Sequence, residues 1–188
     1  MNNNSLINNL LPLNNINNKI LKTILYVLFG TLLLAVSSKV QVPFWPVPMT
    51  MQTFVVFILA MAYGWKLSFL TLTAYLFEGA IGLPVFASGG GLSYLIGPTA
   101  GYLYGMTIAA TLIGYFADLD YGKSFIKTII PLTIGTVIIF LFGIGYLSSI
   151  IGFDKAINVG LLPFIPSELF KIALALLIIP TIWKIIKK

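Results

Sequence analysis

Few side chains in this sequence of 188 residues can carry chemistry, and two of them sit where charge is costly. Glu168 and Lys171 lie three residues apart in PFIPSELFKIALA, within an otherwise apolar run. At that spacing they share one helix face. Counting from the start of the run at 1.5 Å of rise per residue puts Lys171 roughly 13 Å below its outer end. That is too deep for a free ammonium if the run crosses a bilayer, so the pair marks a functional site by default. The alternatives are a self-neutralising structural pair or a lysine that snorkels to the surface. Pro163 and Pro166, just upstream, break the helix end and leave polar backbone that needs a cavity or a protein partner.

A second constellation is GLPVFASGGGLSYLIGPT, which is apolar yet too rich in Gly, Pro and Ser for a regular helix. Its glycines let backbone approach a ligand, Phe86 and Tyr94 can wall an apolar pocket, and Ser88 offers a hydrogen bond. A flexible re-entrant connector would have the same composition. Gln52 is a third candidate, able to serve a ligand or to bond a neighbouring helix. Two other patterns carry no chemistry. AADLDYGKS approaches a phosphate-binding loop, but Ala117 stands where its first Gly belongs and an apolar helix leads into it. Asp118 and Asp120 face different ways at a helix end and read as solvated loop.

These residues need a frame, and the composition says which. Hydrophobic residues make up 59% and charged residues 9%, with a mean hydropathy of +1.00, whereas soluble domains carry about 25% charged residues. The chain reads as an all-α integral membrane protein. Without Cys, His or Arg, thiol and imidazole nucleophiles, Cys or His metal sites and Arg phosphate clamps are excluded. No catalytic role or cofactor is expected, and the net charge of +6 reads as loop lysine on the inner membrane face and not as a nucleic-acid surface. Residues 1–18 hold nine Asn and form a tail or interfacial segment. Residues 19–188 form one transmembrane domain, a bundle of six helices at about 20 residues per span. The spans run from about Leu21 to Val36, Met49 to Tyr63, Leu67 to Ala80, Pro98 to Ala117, Ile126 to Ile150 and Leu162 to Trp183. The Gly/Pro-rich outer loop lies between the third and fourth, and a polar turn holds Asp154 and Lys155. Gly97, Gly101 and Gly105 make a small-residue stripe for close helix packing. No length remains for a nucleotide-binding domain, so any energy coupling is expected from another chain.

At these segments the chain resembles the BioY family, the biotin-binding S components of energy-coupling factor (ECF) vitamin transporters. VPFWPVPMTMQT at 42–53, GLPVFASGGG followed by GPTAGYLYG, and PFIPSELFK are similar to its motifs, and the resemblance covers nearly the whole chain after the Asn-rich tail. It implies six helices, an outside-facing pocket for biotin, and assembly with a transmembrane coupling protein and two cytoplasmic ATPases. Gln52, Phe86, Ser88, Tyr94, Glu168 and Lys171 are the substrate-binding candidates. Glu168 stands where the family usually carries Asp. Thr31 and Ala35 are the best match to the small-residue pattern by which S components dock. A stand-alone carrier for a small carboxylate-bearing solute, with Glu168 as its proton site, is the competing possibility.

Lysine positions decide orientation. With six spans and a cytoplasmic N-terminus, Lys19, Lys22, Lys66, Lys123, Lys127, Lys184, Lys187 and Lys188 fall inside, against Lys39 and Lys155 outside. Both termini are therefore expected in the cytoplasm of a multi-pass cell-membrane protein. Reporter tags at residues 2 and 188 should both report the cytoplasmic face; tags on opposite faces would mean an odd number of crossings.

Overall fold

The computed structural model describes Leu6, Ile7 and residues 18–186. Leu6 and Ile7 are helical and buried; the rest of the expected Asn-rich tail, with Lys187 and Lys188, lies outside the described residues. Helix α1 spans Lys19–Lys39 and is capped by Asn18, whose side chain accepts from the N–H groups of Ile20 and Leu21. A hairpin of two short strands follows, β1 (Gln41–Val42) and β2 (Met49–Thr50). Pro43, Pro46 and Pro48 fall between the strands, where the Pro-rich segment folds back on itself.

Helices α2 (Gln52–Tyr63) and α3 (Trp65–Ala80) are joined by Gly64 alone. Its φ of +75° allows the reversal, and the side chain of Asp118 closes it by accepting from the Trp65 N–H at 3.1 Å. After α3, residues 81–99 are irregular apart from one helical turn, α4 (Leu92–Leu95). Helices α5 (Ala100–Asp118), α6 (Phe125–Ile151), α7 (Phe153–Gly160) and α8 (Ile165–Ile186) complete the chain. The polar turn expected around Asp154 is instead a two-turn helix. Ala156 and Gly160, four residues apart, turn inward while Asp154 and Lys155 stay exposed.

Among the described residues, four segments are long and apolar enough to cross a bilayer: α1, α5, α6 and the stretch Phe153–Ile185, which runs from α7 through nearly all of α8. Helices α2 and α3 are shorter, at 12 and 16 residues. Packing is closest between α5 and α6, where a β-carbon on Gly101 would collide with the Phe142 carbonyl and one on Gly105 would stand 3.0 Å from the Ile139 Cα. Gly97 lies outside this contact, in the turn before α5. The small-residue stripe thus has two members.

Thr31 does not face outward. It is 3% exposed, and its hydroxyl donates to the Leu28 carbonyl in its own helix. Ala35 is half-buried against the core. Helix α1 lays Gly30 against Thr71 of α3 and turns Leu28, Leu32 and Val36 outward. Replacing Gly101 by Leu should lower stability by about 1–3 kcal/mol through overpacking, read as a lower melting temperature; an unchanged melt would contradict the close α5–α6 contact.

Candidate functional site

Two helix beginnings meet at the site. Glu168 and Lys171 project from the first turns of α8, where Pro166 is tolerated because a first-turn N–H has no helical partner. Gln52 and Thr53 open α2. The Lys171 ammonium lies 2.6 Å from Glu168 Oε1 and donates to Thr53 Oγ1 at 3.0 Å, while the Thr53 hydroxyl donates to the same Oε1 at 2.9 Å. Glu168 and Lys171 are 4% and 3% exposed, so this is a closed triangle away from water. One atom is left over: Glu168 Oε2 is buried without a partner. An unsatisfied buried acceptor costs about 1–3 kcal/mol, more when charged.

A cavity opens on this cluster, with about 510 Å³ of atom-free space including its mouth. Gln52, Thr53, Glu168 and Lys171 supply its polar wall; Tyr94, Tyr102, Phe140 and Phe164 line it with rings. Tyr102, Phe140 and Phe164 pack with centroids 6.2–6.4 Å apart, and the Tyr102 hydroxyl donates to the Gly160 carbonyl at 2.8 Å. Such walls suit a small solute with a flat apolar body and a polar end.

The cavity brings together Gln52, Tyr94, Glu168 and Lys171 of the sequence candidates. Gln52 is both a lining residue and a structural one. Its amide donates to the Tyr75 hydroxyl at 2.7 Å, which donates in turn to the Val85 carbonyl at 2.7 Å. Phe86 does not line the cavity. It is fully buried, stacked behind Tyr94 at 4.9 Å and pressed on Gly79, where any side chain would clash with its ring. Ser88 lies outside the cavity, exposed in an adjoining groove. Around Phe86 the backbone is strapped to the end of α1: Ser38 donates to the Val85 carbonyl, Lys39 to that of Phe86 and Gln41 to that of Ala87.

Thr53, Tyr102, Phe140 and Phe164 were not singled out by the sequence. Thr53 sat beside Gln52 in the same motif, but only the approach of α2 to α8 reveals its two bonds. The aromatic residues carry no signal separating cavity walls from core or lipid-facing rings.

A buried charged cluster facing an aromatic cavity, in a chain with several bilayer-length apolar helices, defines a multi-pass membrane protein with an internal small-molecule site. The BioY family model matches residues 6–188, and the chain belongs to the BioY family. It is 39% identical over 150 residues to the biotin transporter BioY of Thermotoga maritima, covering 79% of this chain and 88% of that one. To the "Probable biotin transporter BioY" of Pyrococcus horikoshii it is 37% identical over 147 residues, 78% of this chain and 86% of the relative. The fold matches the crystal structure of an S-component for biotin from an ECF-type ABC transporter with a TM-score of 0.77 and 27% identity, over 90% of this chain and 94% of the other.

Lys171→Met alone should destabilise the chain by about 3–5 kcal/mol, because it strands a buried carboxylate; Glu168→Leu with Lys171→Met should return the melting temperature close to native. A single variant as stable as the native chain would show that the pair is not buried in this way.

Proposed function

We propose that this chain is the substrate-binding membrane subunit of an ECF-type vitamin importer. It captures biotin from outside and passes it across the cell membrane with a transmembrane coupling protein and two cytoplasmic ATPases. The observation that carries this reading is the Lys171–Glu168–Thr53 cluster with its unpartnered carboxylate oxygen, set in an aromatic cavity. Biotin has the matching parts: a urea with two N–H donors and one acceptor, an apolar thioether ring, and an acidic tail. Glu168 can accept from a urea N–H, Lys171 can donate to an acceptor, and rings can cover the thioether.

Six crossings, both termini in the cytoplasm and an outward-facing 81–97 segment are the arrangement favoured by the lysine distribution. In it α2 and α3 act as the second and third crossings, shorter than the rest. The stand-alone carrier has less support, because Glu168 Oε1 is already held by both Lys171 and Thr53.

Titrating the purified chain with biotin and with lipoate tests the assignment. Lipoate shares a sulfur ring and a carboxylate tail but lacks the urea. Loss of one hydrogen bond to a charged group, about 1.5–3 kcal/mol, should make it roughly ten- to a hundredfold weaker. Equal affinities would argue against a urea-reading site. In vesicles, accumulation against a gradient should need the co-produced ATPases; efficient accumulation by the chain alone would favour the carrier.

A further inference from the structure

Between α3 and α5 the surface is cut by a lateral cleft with about 960 Å³ of atom-free space, its open side included. Trp65 and Phe69 of α3 and Thr107, Ile108, Thr111 and Tyr115 of α5 are among its walls. It shares no lining residue with the cavity assigned to biotin. The two threonine hydroxyls donate within their own helix, Thr107 to the Leu103 carbonyl at 3.2 Å and Thr111 to that of Thr107 at 2.8 Å. Neither has a proton left for a ligand, so the cleft suits an apolar occupant.

One end of the cleft is amphipathic. A β-carbon on Gly114 would stand 2.7 Å from the Trp65 nitrogen, so Trp65 and Tyr115 lie at one level, and both are exposed. Rings with a polar edge belong at a membrane–water interface. Lys66 stands at the same end, its ammonium 5.4 Å from the Trp65 ring centroid, with no carboxylate partner among the described residues. Asp118 is near but committed: it accepts from the Trp65 N–H and faces the positive end of the α3 dipole. Asp120 is paired with Lys123. A positive charge is thus left over at the mouth.

Dimensions and charge together choose the occupant. From Thr107 to Tyr115 helix α5 rises about 12 Å, against about 15 Å of hydrocarbon in one leaflet. The cleft therefore has the depth of a leaflet, with a cation and two interfacial rings at its water end. A packing helix needs small residues for close approach, whereas the exposed walls here are Trp65, Phe69, Ile108 and Tyr115. Helix α3, at 16 residues or about 24 Å, is also shorter than the roughly 30 Å hydrocarbon core, so lipid beside it must adapt. We propose that the cleft holds one acyl chain of an anionic phospholipid of the inner leaflet, whose phosphate is bound by Lys66. The leaflet follows from the orientation favoured by the lysine distribution. A zwitterionic headgroup brings its own cation and gains less from the unmatched lysine.

Trp65 makes the site readable. In the full chain carrying W45F and W183F it is the one tryptophan left. This chain is reconstituted in phosphatidylcholine vesicles, and quenching of Trp65 is followed as phosphatidylglycerol or phosphatidylcholine with brominated acyl chains is added. Phosphatidylglycerol should occupy the site about fivefold more strongly, the preference expected of one lysine near the surface. K66Q should bring the ratio to about one, while K127Q, on α6 and outside the cleft, should leave it unchanged. Lipids retained by the unsubstituted chain and by K66Q in native mass spectrometry give the same comparison should the Phe replacements impair folding. Equal occupancy by the two lipids, or a preference that K66Q leaves intact, would overturn the anionic-lipid site. Loss of quenching by both lipids as the protein is concentrated in the membrane would assign the cleft to a second copy of the chain and overturn it equally.

Discussion

A lysine and a glutamate held away from water must satisfy one another, and the arrangement of this protein follows from that requirement. In a medium where each isolated charge is strongly disfavoured, the Lys171–Glu168 pair is stable only with further polar contacts. Thr53 supplies them by bonding both partners at 3.0 and 2.9 Å. For that hydroxyl to arrive, the start of α2 must lie against the start of α8. Hence the Pro-rich hairpin that turns the chain after α1, and hence the prolines that open α8. The triangle closes on one carboxylate oxygen and leaves the other unpartnered, the feature on which the proposed substrate-binding role rests.

The walls depend on a second set of polar contacts, all to backbone. Residues 85–87 lack regular secondary structure, so their carbonyls need partners from elsewhere. Tyr75 and the Ser38–Gln41 stretch at the end of α1 provide them. This strap seats Phe86 on Gly79, and Phe86 in turn supports Tyr94, the ring shared by cavity and groove. Gln52 joins the two networks through Tyr75, so the polar wall and the strapped segment are braced together.

What was legible in the sequence was whatever broke an expectation. Charges inside an apolar run stand out, so Glu168 and Lys171 were visible; glycines and prolines too dense for a helix marked the segment after α3. Apolar helices are different. When every face is apolar, no moment says which side turns inward, so nothing in the sequence of α1 separated Thr31, which is buried, from its exposed neighbour Leu32. Tyr102, Phe140 and Phe164 were hidden for the same reason. Asp154 and Lys155 suggested a turn because polarity was read without periodicity; Ala156 and Gly160 give the short helix its inner face. Thr53 stayed unnoticed because its role exists only in three dimensions.

The claim that the buried cluster is the substrate receptor is tested most directly by calorimetric biotin titration of the folded Glu168→Leu, Lys171→Met double variant. With both charges replaced by apolar groups of similar size, the fold has no stranded charge. The receptor account predicts a well-folded protein with no measurable biotin binding. A folded double variant with native biotin affinity would remove the cluster from the site and leave it a purely structural pair.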